Sequence, residues 1–113
     1  MEISFCQKSL EKLVSDETKL NKKFGHFASY VRRRLDLLRT AKTLADVPRV
    51  PPPRCHQLSG EDEVFAVDVK TKADKWRIEF RVANVPVPRR LDGGVDLHSV
   101  TAVEIIEISE HYA

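Results

Sequence analysis

The sequence predicts a small α+β domain, with two N-terminal helices packed on an antiparallel β-sheet in the order β-α-α-β-β-β. Three observations carry this. A chain of 113 residues, 42% hydrophobic and 32% charged, is long enough for one compact domain, residues 1–113, and too short for two. Apolar residues recur at three- and four-residue spacing early in the chain, the helical period, and at two-residue spacing later, the strand period. The clearest strand runs from Ala73 to Val82: Trp76, Ile78, Phe80 and Val82 fall on one side, and Lys75, Arg77, Glu79 and Arg81 on the other.

Taken in order, Ile3 and Phe5 alternate with Glu2 and Ser4 and predict a short first strand. From Gln7 the period changes. Leu10, Leu13 and Val14 lie on one stripe of an amphipathic helix that fades near Asp16 to Asn21, and Gly25 ends the pattern. A second helix runs from about His26 to about Ala41, with Phe27, Val31, Leu35 and Leu38 on its apolar stripe. Thr43 to Val47 fits one further turn, capped by Thr43 and stopped at Pro48. Pro48, Pro51, Pro52 and Pro53 predict an extended spacer that cannot join a central ladder and that delivers Arg54 to Leu58 to the sheet. After a turn at Ser59 to Asp62, Val64 to Val69 forms a strand, Lys72 to Asp74 turns, and the tryptophan strand follows. Short connections imply an antiparallel meander. Ala83 to Thr101, rich in Pro, Gly and Arg, reads as an irregular or mobile connection before a last strand at Ala102 to Ile108.

Charge is uneven. The net charge is only +2, yet Lys19 to Arg54 hold ten Lys and Arg against two acids, while residues 61–113 hold seven basic and eleven acidic side chains. The local basic excess fits a polyanion or an acidic protein partner. No run approaches the ~20 apolar residues of a membrane span, and the N-terminus lacks signal-peptide features, so no membrane partner and a cytoplasmic location are expected. Cys6 and Cys55 are too few and too unpatterned for a zinc site or a disulfide framework.

Four local signatures join this order of elements: the helix end Arg34 to Asp46, the segment His56-Gln57-Leu58-Ser59-Gly60, the strand Lys75-Trp76-Arg77-Ile78-Glu79-Phe80, and the terminal Glu110-His111-Tyr112. Together they resemble the HigB branch of the RelE/ParE superfamily, small toxins of type II toxin–antitoxin systems, over nearly the whole chain. The resemblance implies a ribosome-dependent endoribonuclease that cuts mRNA on the 70S ribosome without metal or other cofactor. It also implies inhibition by a HigA-like helix-turn-helix antitoxin, with operator DNA reached only through that partner. Two departures stand out. Ser59 occupies the place where the family usually has Lys, and Glu110-His111-Tyr112 replaces the common Asp-Tyr-His.

Metal-free RNA cleavage needs a base for the 2′-hydroxyl proton, an acid for the departing 5′-oxygen and fixed positive charge for the phosphorane. Histidine suits either proton transfer near neutrality. Arginine suits the phosphate because it stays charged and grips two oxygens. The candidate catalytic residues are therefore His56, Arg77, Glu110, His111 and Tyr112, with Arg54, Lys75 and Arg81 as substrate-binding cations and no metal ligands. Strand alternation would set Glu110 and Tyr112 on one side and His111 on the other. A ParE-like DNA gyrase poison, or an inactive relative that only binds an antitoxin, is the competing expectation.

Overall fold

The computed structural model describes residues 1–71 and 75–110. Strand β1 (Glu2–Phe5) leads into α1 (Lys8–Ser15), α2 (Glu17–Phe24), a 3-10 turn (Gly25–Phe27) and α3 (Ala28–Thr40). A second 3-10 turn (Leu44–Asp46) precedes β2 (His56–Gln57), β3 (Val64–Asp68) and β4 (Trp76–Val82). A last 3-10 turn (Leu97–Ser99) precedes β5 (Ala102–Glu110). The α+β class is as expected, but the element order is richer than β-α-α-β-β-β.

The first predicted helix is two. Asp16 is extended, with φ −111° and ψ 109°, and its carboxylate accepts the backbone N–H of Lys19 at 3.1 Å. An aspartate that caps a new helix competes with continuation of the old one, so the chain turns a corner there. The second segment then buries Leu20 and Phe24 completely or nearly so. Gly25 supplies the next break with φ +57°, a conformation costly for other residues.

The sheet is mixed rather than antiparallel. Its order is β1-β5-β4-β3-β2, and β1 runs parallel to β5, with Ile3 beside Val103 and Phe5 beside Ile105. The three helices carry the chain from β1 across the sheet to β2 at the opposite edge, and the meander then brings β5 back beside β1. β2, β3, β4 and β5 form the expected antiparallel meander. A bulge between Glu79 and Phe80 leaves Ile106 as the extra residue on β5. β5 also outruns its parallel neighbour: β1 pairs only as far as Ile105, so among the described residues no strand pairs with the outer edge of β5 beyond Ile106.

Alternation along β4 sorts the residues as predicted. Ile78, Phe80 and Val82 are buried beneath the helices with Leu20, Val31, Leu35 and Leu38, while Arg81 is exposed on the other face. Trp76 sits at the margin of this core, edge-on to Phe24 at a centroid distance of 5.1 Å, and Phe80 is the largest fully buried side chain. The tryptophan begins its strand, where the sheet is only partly roofed.

Two segments expected to be loose are folded. The proline segment is a closed loop, not an extended spacer: Cys55 N–H donates to the Pro48 carbonyl at 2.9 Å, Arg54 N–H to Val50 at 3.1 Å and Asp68 N–H to Pro53 at 2.8 Å. Prolines lack donors but keep acceptors, and neighbouring amides use them. The 83–101 connection is a folded arm. Asn84 accepts the N–H groups of Thr101 and Ala102 at 3.0 and 3.1 Å, Arg89 pairs with Val95 in a short hairpin, and Val95 and Val100 are buried. Arg89 staples the hairpin to the β2–β3 turn through Asp62 and Glu63, both at 2.5 Å. These carboxylates raise the pKa of its guanidinium, the hydrogen bond to Asp62 most of all. No helix among the described residues is long and apolar enough to cross a membrane.

Candidate functional site

Strand register decides which candidate residues can work together, because directly paired residues share a face. His56 pairs with Ala66, and Ala66 with Glu79; Arg77 pairs with Asp68 on one side and Ser109 on the other. His56 and Arg77 therefore lie on the same sheet face, the one away from the helices. Glu110 pairs with Trp76 and belongs to the opposite face. His111 and Tyr112 lie outside the described residues, as does the Lys72 to Asp74 turn.

The ring of His56 is fixed by the loop before it. Its Nδ1 lies 2.8 Å from the Arg54 carbonyl oxygen. A carbonyl only accepts, so Nδ1 carries the proton and Nε2 of the neutral ring keeps its lone pair. That is the tautomer a general base needs. Arg54 itself adopts φ +52°, a left-handed conformation uncommon for a residue with a side chain.

The arginines of this face are largely held by carboxylates. Arg54 grips Asp68 with two bonds, Nε to Oδ2 at 2.7 Å and Nη2 to Oδ1 at 3.0 Å. Asp68 is the one buried charged residue among those described, and its backbone carbonyl also accepts Arg34 Nε at 2.9 Å. Burial lowers the Arg34 pKa, helped by neighbouring Arg33 and opposed by Asp68 and Tyr30. Arg77 reaches Glu79 at 2.5 Å with its side chain only 17% exposed, and its Nε is buried with no partner among the described residues. Arg81 lies 3.6 Å from Glu104 with about half of its side chain exposed. Lys75 is exposed just before β4. The open face thus offers less unneutralised charge than its three cations suggest.

Sequence reasoning missed a cavity of about 170 Å³ between the β2 edge and the folded arm, lined by His56, Arg49, Arg90, Cys55 and Gln57 among others. Burial pushes the Cys55 thiol up to about 11, against a smaller opposing pull from Arg49. Thiolate is the reactive form. At about pH 8 a thiol reagent therefore labels exposed Cys6 in the folded protein and leaves Cys55 unlabelled; equal native labelling of both would contradict this burial.

A second, larger groove of about 820 Å³ runs between α1, α2 and the overhanging end of β5, lined by Leu10, Leu13, Phe24 and Ile108 with Lys12, Lys19 and Lys23. It is distant in chemistry from the histidine cavity, having no ionisable proton-transfer group besides Glu107, lysines and the Cys6 thiol. Among the described residues no group of three or more His, Cys, Asp or Glu is placed to hold a metal ion. Together, the fold and its cavities define a small α+β domain with a tautomer-fixed histidine beside two arginines. No family model, curated protein or solved structure matches the chain.

Proposed function

We propose that the protein is a HigB-like toxin of a type II toxin–antitoxin system, a ribosome-dependent endoribonuclease that cleaves mRNA and halts translation. The observation that carries the reading is His56, whose proton is kept on Nδ1 by the Arg54 carbonyl while Nε2 keeps a lone pair. In the mechanism, Nε2 takes the 2′-hydroxyl proton and Arg77, on the same sheet face, faces the developing phosphorane charge. Arg77 exchanges Glu79 for the phosphate when RNA is bound, which also gives a partner to its buried Nε. Protonation of the 5′-oxygen falls to His111 or Tyr112 of the C-terminal segment, as the resemblance implies, because Glu110 lies on the opposite sheet face. The basic helices α2 and α3, Lys19 to Arg39, dock on ribosomal RNA through phosphates, and a helix-turn-helix antitoxin acts as inhibitor in the cytoplasm.

One observation favours a second reading. Arg54, Arg77 and Arg81 each have a carboxylate within 4.0 Å, as a binding surface without phosphate chemistry would. A gyrase poison fits that arrangement. Purified protein is added to ribosomes loaded with a defined mRNA, with cuts mapped by primer extension and DNA supercoiling by gyrase assayed in parallel. New 5′ ends on ribosome-bound mRNA and unchanged supercoiling support the nuclease; intact mRNA with lost supercoiling overturns it.

A further inference from the structure

The cavity beside His56 is walled by the two segments that the sequence presented as irregular. Arg49 comes from the proline loop and Arg90 from the hairpin of the 83–101 arm, and the two also line an adjoining cavity of about 290 Å³ with His98 and Asp96. The first cavity has two guanidiniums, an imidazole and an amide along its walls and no carboxylate. Among the described residues the Arg49 guanidinium makes no hydrogen bond or ion pair, in contrast to Arg54, Arg77, Arg81 and Arg89. Arg90 is held at 3.2 Å from Asp92, whose carboxylate is occupied at the same time by the Gly94 N–H at 2.8 Å. That backbone bond, and then Arg90 itself, keep Asp92 below the usual carboxylate pKa.

Gly94 is what lets Arg90 lie this way. A Cβ built on Gly94 would stand 2.3 Å from Arg90 Nη2 and 3.1 Å from its Cζ, so the guanidinium lies across the bare backbone of the hairpin. Gly94 also lines the cavity, so the guanidinium lies beside it while more than half of the Arg90 side chain stays exposed to solvent. Arg49, which has no carboxylate partner among the described residues, and Arg90, on exchanging Asp92 for the ligand, line one cavity and can each give a tetrahedral or diester phosphate bidentate charge-assisted bonds.

We propose that Arg49 and Arg90 form a phosphate-binding subsite, and that its occupant is a backbone phosphodiester of single-stranded RNA neighbouring the bond at His56. Anion capture follows from the cavity alone; the choice of RNA as the source rests on the ribonuclease reading. No bond is made or broken there. The subsite holds the strand so that His56 meets one particular ribose.

The test is an NMR titration of the isotopically labelled full chain, reading the His56 ring and the arginine Nε–H resonances. Two probes are used: an RNA trinucleotide with a 5′-hydroxyl, which carries only diester phosphates, and inorganic phosphate. The expected result is saturable movement of the Arg49, Arg90 and His56 signals with the trinucleotide. Affinity falls about tenfold or more in the double variant Arg49→Ala/Arg90→Ala. Gly94→Ala keeps every charge but displaces the Arg90 side chain, and it weakens binding several-fold, whereas Lys8→Ala/Lys12→Ala on α1 removes as much charge and leaves binding unchanged. Movement with inorganic phosphate but not the trinucleotide overturns the RNA assignment. Equal weakening by the arginine and lysine pairs, or wild-type affinity in Gly94→Ala, overturns the subsite. Cleavage on ribosomes is read separately: a wild-type protein that binds the trinucleotide yet cuts nothing removes the nuclease reading and leaves the subsite standing.

Discussion

Replacing His56 by alanine lowers the rate of single-turnover mRNA cleavage on the ribosome by about 10²–10⁴-fold, the range for losing a positioned proton-transfer group. The effect belongs to the chemical step. His56 is half-buried on a two-residue edge strand, and its visible bond is to a loop carbonyl, so the fold does not depend on the ring. The thermal midpoint of the variant therefore stays near that of the parent, and binding to ribosomes is retained. His56→Gln keeps a donor for the Arg54 carbonyl but has no titratable nitrogen, and it falls as far as alanine. A variant that cleaves within about twofold of the parent would remove His56 from the mechanism.

Replacing Asp68 by alanine destabilises the protein by about 3–5 kcal/mol, measured by urea denaturation, because one partner of a buried pair is taken away and the other stays. Asp68 has a side chain only 6% exposed, against 26% for Arg54, so the charge left behind is partly screened and the lower end of that range is expected. Loss of Asp68 also frees the loop that positions the Arg54 carbonyl, and with it the His56 ring. Asp68→Asn retains one acceptor for the guanidinium and costs less than alanine. An alanine variant within about 1 kcal/mol of the parent would show that the pair contributes no more than a surface bridge.

Much of the scaffold was legible because it is periodic. The alternation of Trp76 to Val82 gave both the strand and its faces, and Val31, Leu35 and Leu38 marked the buried stripe of α3. What periodicity does not carry is the direction in which distant strands pair, so the parallel β1–β5 contact was invisible. The corner at Asp16 was a local competition between capping and helix continuation, decided by burial of Leu20 and Phe24 further on. The pairing of Arg77 with Glu79 was present in the sequence as opposite charges two residues apart on one strand face. Arg49 and Arg90 left no comparable signal. They sit in aperiodic segments, and only the closure of the proline loop and the folding of the arm bring them to His56. Of the expected site residues, His56 and Arg77 share a face, Glu110 lies on the other, and Arg54 serves the histidine through its backbone while its side chain holds Asp68.

The overhang of β5 has a bearing on how copies of this chain behave at high concentration. An exposed strand edge is a template for pairing with its own kind, and open edges of this sort lead to sheets that grow from molecule to molecule. Here the outer edge beyond Ile106 carries Glu107 and Glu110 within four residues. Two overhangs meeting edge to edge would bring glutamates of one chain against those of the other, and like charges across a strand pair repel. The edge is thereby guarded against self-assembly by its own side chains.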